Sequence, residues 1–208
     1  MKRTYYVNYM RPWEAAALIA LCAALLAGLW AQRRQEALAA NLVRLHVIAA
    51  SDSAEDQRLK LRVRDAVLET VTPLLEGARS REEAAERLRG ALPALSAAAE
   101  EISGRSACAS LGTELYPTRV YDGFALPAGR YVSLRVTLGP GRGRNWWCVV
   151  YPPLCAAADA GALETASLPE DDLKLITGDG EGYVFRFRVI EWWHTLTAGL
   201  QERAGDPA

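Results

Sequence analysis

The sequence predicts an α+β fold: a single mixed domain behind an apolar N-terminal helix. Three observations carry this. Residues 15–31 form an uncharged apolar run, several short stretches alternate with period two, and the stretch from about Ala54 to Thr72 repeats its apolar residues at three- and four-residue steps. The predicted order is strand, helices, antiparallel strands, short helix, strand and terminal helix. Strands and helices in separate runs suit α+β better than a regular βαβ alternation.

The apolar run, AAALIALCAALLAGLWA, spans Ala15–Ala31. Seventeen residues sit at the short end of a membrane span and slightly beyond an ordinary signal-peptide core. Tyr5, Tyr6, Tyr9, Trp13 and Trp30 flank it, where aromatic rings favour the membrane interface. Two readings stand: an uncleaved membrane anchor, or a signal cleaved near Ala37-Leu38-Ala39. Lys2, Arg3 and Arg11 precede the run, and Arg33 and Arg34 follow it, which tilts the amino terminus inward. The expected organisation is a basic, aromatic flank at 1–14, the helix at 15–31, a linker at 32–40, an extracytoplasmic domain at 41–200 and a disordered tail at 201–208.

Asn41–Ala49 alternates and is rich in branched residues, so it reads as a strand. Leu42, Arg44, His46 and Ile48 share one face; Val43, Leu45 and Val47 share the other. Ser53 and Asp56 resemble a capping box for a helix over 54–72. Leu59, Val63, Ala66, Val67 and Val71 mark its buried face, Arg58, Lys60, Arg62 and Arg64 cover the rest, and Pro73 is its expected stop. Ser80 caps a helix over 80–89, and Pro93 opens a separate one that ends at Ser103 with Gly104 behind it. Strands are expected at 107–115, 129–138 and 146–151. Gly139–Gly143 then reads as a hairpin tip carrying Arg142 and Arg144. A short helix over 170–176, a strand over 183–190 and a terminal helix complete the domain.

Charge excludes some functions. The whole chain has 24 basic and 25 acidic residues. Five basic and two acidic residues lie before Asn41, which leaves 19 against 23 and a net of −4 in the domain. A nucleic-acid binder needs a basic excess, so no nucleic-acid partner is expected.

The motifs for chemistry are weak. Gly139–Gly143 lacks the Lys-Ser/Thr and following helix of a phosphate loop. Glu170-Asp171-Asp172 lacks the alternating ligands of a calcium loop. Two histidines and four cysteines without ligand spacing give no metal site, and no cofactor is expected. His46 and Asp52 are the best residues of an alternative reading, a membrane-anchored extracytoplasmic hydrolase, in which a base must meet a nucleophile. Cys148 and Cys155 bracket a strand end and a Pro-Pro turn. Outside the cytoplasm they are candidates for a disulfide, the alternative being two buried free thiols.

The residues also resemble a family. LHVIAASDSAEDQ at 45–57 and LKLRVRDAV at 59–67 are similar to the opening of the stage II sporulation protein R family. YPTRVY at 116–121, PAGRY at 127–131 and LRVTLG at 134–139 continue the resemblance. GRNWWCVVYPPLC at 143–155 is its densest block, and FRFRVIEWW at 185–193 closes it. Ala50 departs from the asparagine expected there.

The resemblance implies a signalling protein rather than an enzyme. It implies export from the forespore into the space between two membranes. There the protein activates a membrane-embedded sporulation aspartic protease, which processes the pro-form of the mother-cell factor sigma-E. Binding residues collect on loops, so the partner-binding candidates are Ser51, Asp52, Ser53, Tyr116, Thr118, Arg119, Tyr121, Arg142, Arg144 and Trp147. Trp146 and Trp147, adjacent on a strand, should point to opposite faces.

Overall fold

The computed structural model describes residues 11–121 and 124–154. The expected helix at 170–176, strand at 183–190, terminal helix and tail lie outside these residues, as does Cys155. The architecture is α+β, with two units divided between Gln35 and Glu36. In the first, helix α1 (Pro12–Ala39) contains an apolar window with mean hydropathy 2.0 that is 0% buried. Its length and composition suit a membrane span or a signal. The helix continues through residues 32–39, which were expected to be a linker. Its last turn, with buried Leu38 and Ala39, belongs to the second unit.

The second unit is built on β1 (Val43–Ile48), α2 (Ala54–Leu75), α3 (Arg81–Ser103), β2 (Ala107–Tyr116), β3 (Arg119–Tyr121), β4 (Phe124–Leu126), β5 (Gly129–Leu138) and β6 (Asn145–Tyr151). Four strands make a mixed sheet in the order β2-β5-β1-β6. β1 runs parallel to β5 and antiparallel to β6; β2 is antiparallel to β5. β3 and β4 form a separate antiparallel ribbon. This ribbon lies in the stretch expected to be a loop, because three-residue strands leave almost no periodic signal.

The alternation of β1 sorts the two faces as expected. Val43, Leu45 and Val47 join Leu134, Val136 and Leu138 of β5 and pack against Val63, Val67 and Val71 of α2 and Leu88, Leu95 and Ala99 of α3. A second cluster on the opposite side unites Leu38, Leu42, Tyr116, Phe124, Leu126, Tyr131, Val149 and Leu154. Trp146 packs on the first cluster and Trp147 on the second, so the adjacent tryptophans do face opposite ways.

Local signals set the helix ends. The Ser53 hydroxyl accepts from Asp56 N at 3.1 Å and Ser80 from Glu83 N at 3.1 Å. Gly104, at φ 63°, closes α3 and donates to the Glu100 carbonyl.

Both prolines depart from the expected roles. α2 runs through Pro73 to Leu75, and α3 is one helix through Pro93 where two were expected. Pro73 and Glu69 are exposed, and so are Pro93 and Arg89. The carbonyl that loses its donor therefore faces water in each case, and the helix continues. The buried stripe of α2 is also rotated from the expected one. It contains Asp56 and Lys60 with Val63, Val67, Val71 and Leu75, while Leu59 is only half-buried.

The largest correction concerns residues 139–144. β5 and β6 do not pair, because β1 lies between them. The connection is therefore not a hairpin tip but a bridge over the end of β1. Gly143 N donates to Ala49 O at 2.9 Å, and Arg142 N to Ala50 O at 3.3 Å.

Candidate functional site

Two of the three sequence-predicted loops meet at this bridge. Asp52 Oδ1 accepts from Arg144 N at 2.7 Å. Ser51 Oγ donates to Asp56 Oδ2 at 2.5 Å, and Arg105 pairs with Asp56 Oδ1 at 2.6 Å. Hydrogen bonding from Ser51, with the nearby Arg105 charge, holds the Asp56 carboxyl below its ordinary range. Asp56 thus does not reach back to the helix cap as a capping box would; it anchors the turn and the end of α3. The Lys60 ammonium lies beneath, donating to Gln57 Oε1 at 2.7 Å and to the Arg144 carbonyl at 3.1 Å. Burial there lowers its pKa, with Arg144 adding repulsion. The exposed arginine tip is thereby attached to a rigid base, and Ser51, Asp52, Ser53, Arg142 and Arg144 form one group.

The third loop folds elsewhere. Tyr116 ends β2 and is only 2% exposed, so it is a core residue rather than a surface candidate. Burial raises its phenol pKa. The Thr118 hydroxyl accepts from Ala128 N at 3.1 Å, a structural contact. Arg119 and Tyr121 sit on β3, which folds back over the sheet. Arg119 lies over the Trp147 ring at 4.0 Å, and Tyr121 stacks on Phe124 with centroids 4.8 Å apart.

Beneath this ribbon lies a polar cluster that sequence reasoning largely missed. Arg44 is fully buried. Its guanidinium lies over Tyr116 at 3.9 Å and Tyr131 at 5.1 Å and donates to the Tyr121 hydroxyl at 2.6 Å. Tyr116 and Ser133 hydroxyls are 2.6 Å apart.

His46 stands beside it. Its Nδ1 meets Glu114 Oε2 at 3.1 Å and its Nε2 meets Asn145 Oδ1 at 3.0 Å. Glu114 also pairs with Arg135. Burial by itself raises the Glu114 pKa, but hydrogen bonds from His46 and Ser133 and the charges of His46 and Arg135 outweigh it, and the value falls to about 2.

Arg119, Trp147, His46, Glu114 and Arg135 therefore make a continuous line of contacts across the sheet, on the side away from α2 and α3. Trp147 and His46 ring centroids are 5.5 Å apart. Asn145 ties this line to the neighbouring Arg144. The signal that could have found it was present: Arg44 and His46 are two long polar residues on one face of β1. What was missing was the register that brings Glu114, Arg135 and Asn145 to them.

The hydrolase constellation does not assemble from the residues suggested for it. His46 is engaged by Glu114 and Asn145, and Asp52 by the Arg144 backbone at a different place. Among the described residues, no group of three or more His, Cys, Asp or Glu gathers as a metal site. Cys148 is buried on β6 and disulfide-bonded; Cys22 and Cys108 carry free, exposed thiols. The expected partner of Cys148 is Cys155, beyond the described residues.

Comparison with known proteins agrees with the resemblance in the sequence. The family model described as stage II sporulation protein R matches residues 39–160. Stage II sporulation protein R of Bacillus subtilis (strain 168) is 41% identical over 118 residues, which cover 54% of this chain and 53% of that protein. The match thus spans about half the length of that curated relative. No solved structure matches. With its β1–α2 turn, its Trp-Trp-Cys strand and nearly all of its described second unit inside the matched region, the chain belongs to the stage II sporulation protein R family.

Proposed function

We propose that this chain is an exported signalling protein of sporulation that acts by binding. Its receptor is a membrane-embedded aspartic protease, and engagement switches on processing of the pro-form of sigma-E. The observation that carries the reading is the family match over residues 39–160, which coincides with the sheet and its two helices. The apolar window in α1, 0% buried, supports export or anchoring through the membrane. The two nitrogens of His46 are held by Glu114 and Asn145, an arrangement suited to shaping a surface. The candidates for contact are the Ser51–Ser53 turn with Arg142 and Arg144, and the Arg119, Tyr121 and Trp147 group. A Cys148–Cys155 disulfide formed after export belongs to the same proposal.

The test is reconstitution. A non-sporulating cell carrying the protease and pro-sigma-E receives the full chain, and processing is read by immunoblot. Processing that depends on the chain supports the proposal. Unprocessed pro-sigma-E, with folded and exported chain present, overturns it.

A further inference from the structure

We propose that the exposed part of the sheet face around Arg119, Trp147 and Arg135, beside the β3–β4 ribbon, is the receptor contact, and that it takes an extended acidic polypeptide segment of the partner. This rests on the reading that the chain acts by binding a protein.

The face away from α2 and α3 carries Arg119 and Arg135, both exposed, around the half-buried ring of Trp147. The Arg135 side chain is 46% exposed. The carboxylate nearby is already engaged: Glu114 is held by His46 and Arg135. The face is therefore positive within a domain whose net charge is −4. That contrast between patch and surroundings guides an acidic partner and orients it.

Geometry favours an extended segment. Arg119 is held over Trp147 on β6, and Arg135 lies on β5, with β1 between them. Two strand spacings put these columns roughly 10 Å apart. Side chains two and four residues apart on one side of an extended chain are about 7 and 13 Å apart, which bracket that spacing within the reach of flexible arginine side chains. Trp147, already carrying Arg119, supplies the kind of aromatic and arginine anchor that concentrates binding energy. An anionic bilayer fits less well. A broad flat surface would also meet the net-acidic remainder of the domain, which a narrow peptide segment avoids.

The test uses the full chain, purified in detergent, and two probes. One is fluorescein-labelled octaglutamate, read by anisotropy; the other is phosphatidylglycerol vesicles, read by sedimentation. The variants are Arg119→Glu with Arg135→Glu, the milder Arg119→Gln with Arg135→Gln, and, on the exposed side of α2, Arg58→Glu with Arg62→Glu. Circular dichroism confirms folding, and processing is scored for each in the reconstituted cell.

The sheet-face glutamate pair is expected to weaken octaglutamate at least tenfold and to abolish processing, with the glutamine pair intermediate. The α2 pair should leave both within about twofold. Normal processing by a folded sheet-face variant overturns the inference, as does an equal loss from the α2 pair. Loss of vesicle binding with unchanged octaglutamate binding assigns the face to lipid and also overturns it. If the unmodified chain fails to trigger processing, the proposed function falls, while the octaglutamate measurement still decides whether the face binds acidic peptide.

Discussion

The Asp52 carboxylate accepts a hydrogen bond from the backbone N–H of Arg144 at 2.7 Å, across 92 positions of sequence. It joins the turn after β1 to the bridge between β5 and β6. Because β1 lies between those strands, the bridge must cross the chain as it leaves β1, and backbone bonds to Ala49 and Ala50 hold the crossing. The SDS turn is therefore more than a helix cap. It fixes where Arg142 and Arg144 are displayed.

Asp52→Ala should destabilise the domain by about 0.5–1.5 kcal/mol, the usual net value of one hydrogen bond. Asp52→Asn keeps an acceptor at Oδ1 and should lose less. Urea denaturation of the two variants measures the difference. Equal losses would mean that the contact with Arg144 is not what stabilises the turn.

Gly143→Ala should be more harmful. A Cβ at this position would clash with the backbone carbonyl of Ser51 and press on the Ala49 side chain, both at the crossing. Backbone cannot move aside as a flexible side chain can, so a cost of about 2–3 kcal/mol is expected. Gly112→Ala on β2 is the control, since its Cβ meets nothing within 4 Å. Thermal unfolding should separate the two clearly; matching transition temperatures would remove the steric account.

How much of this was legible depended on how local each signal was. The alternation in β1 and β5 and the caps at Ser53, Ser80 and Gly104 use neighbours in sequence, and each was readable. Pro73 and Pro93 misled because a proline's effect depends on whether the affected carbonyl faces water, which is a tertiary fact. Residues 139–144 look locally like a hairpin tip; only the insertion of β1 makes them a bridge. Lys60 reads as a surface residue until the Arg144 carbonyl is placed above it. The site divides in the same way. The loop residues near Ser51 and Arg144 were visible as loops, while the line from Arg119 to Arg135 exists only through strand register.

Arg87 offers a test of how α2 ends. Its Nη1 donates to the Leu74 and Glu76 carbonyls at 3.0 and 2.8 Å, and its Nη2 to Glu83. These carbonyls lie at the end of the helix, where intrahelical donors run out. Arg87→Ala should cost about 1–2 kcal/mol and speed amide exchange in the last turn of α2. Exchange that speeds up equally throughout the domain would indicate general loosening instead of a lost cap.

Glu114 predicts how stability responds to acid. Its pKa falls from an ordinary 4.5 to about 2 in the folded chain. As pH drops, the unfolded chain takes up this proton first. The stabilisation is therefore present above about 4.5 and is lost as pH falls from there towards 2. The full shift corresponds to about 3 kcal/mol at 1.36 kcal/mol per unit. Contact with solvent through the exposed Arg135 screens the pairing, so about 1–2 kcal/mol is expected. Asp56, Glu82 and Glu83 are lowered too and add slope in the same direction, which makes the comparison with Glu114→Gln decisive. Between pH 5.5 and 3, the unmodified protein should lose about 1 kcal/mol more than Glu114→Gln in urea titrations, since part of the stabilisation persists until the pH nears 2. Parallel losses would mean that the His46, Glu114 and Arg135 line contributes little to folding, and that its arrangement is kept for the surface it presents.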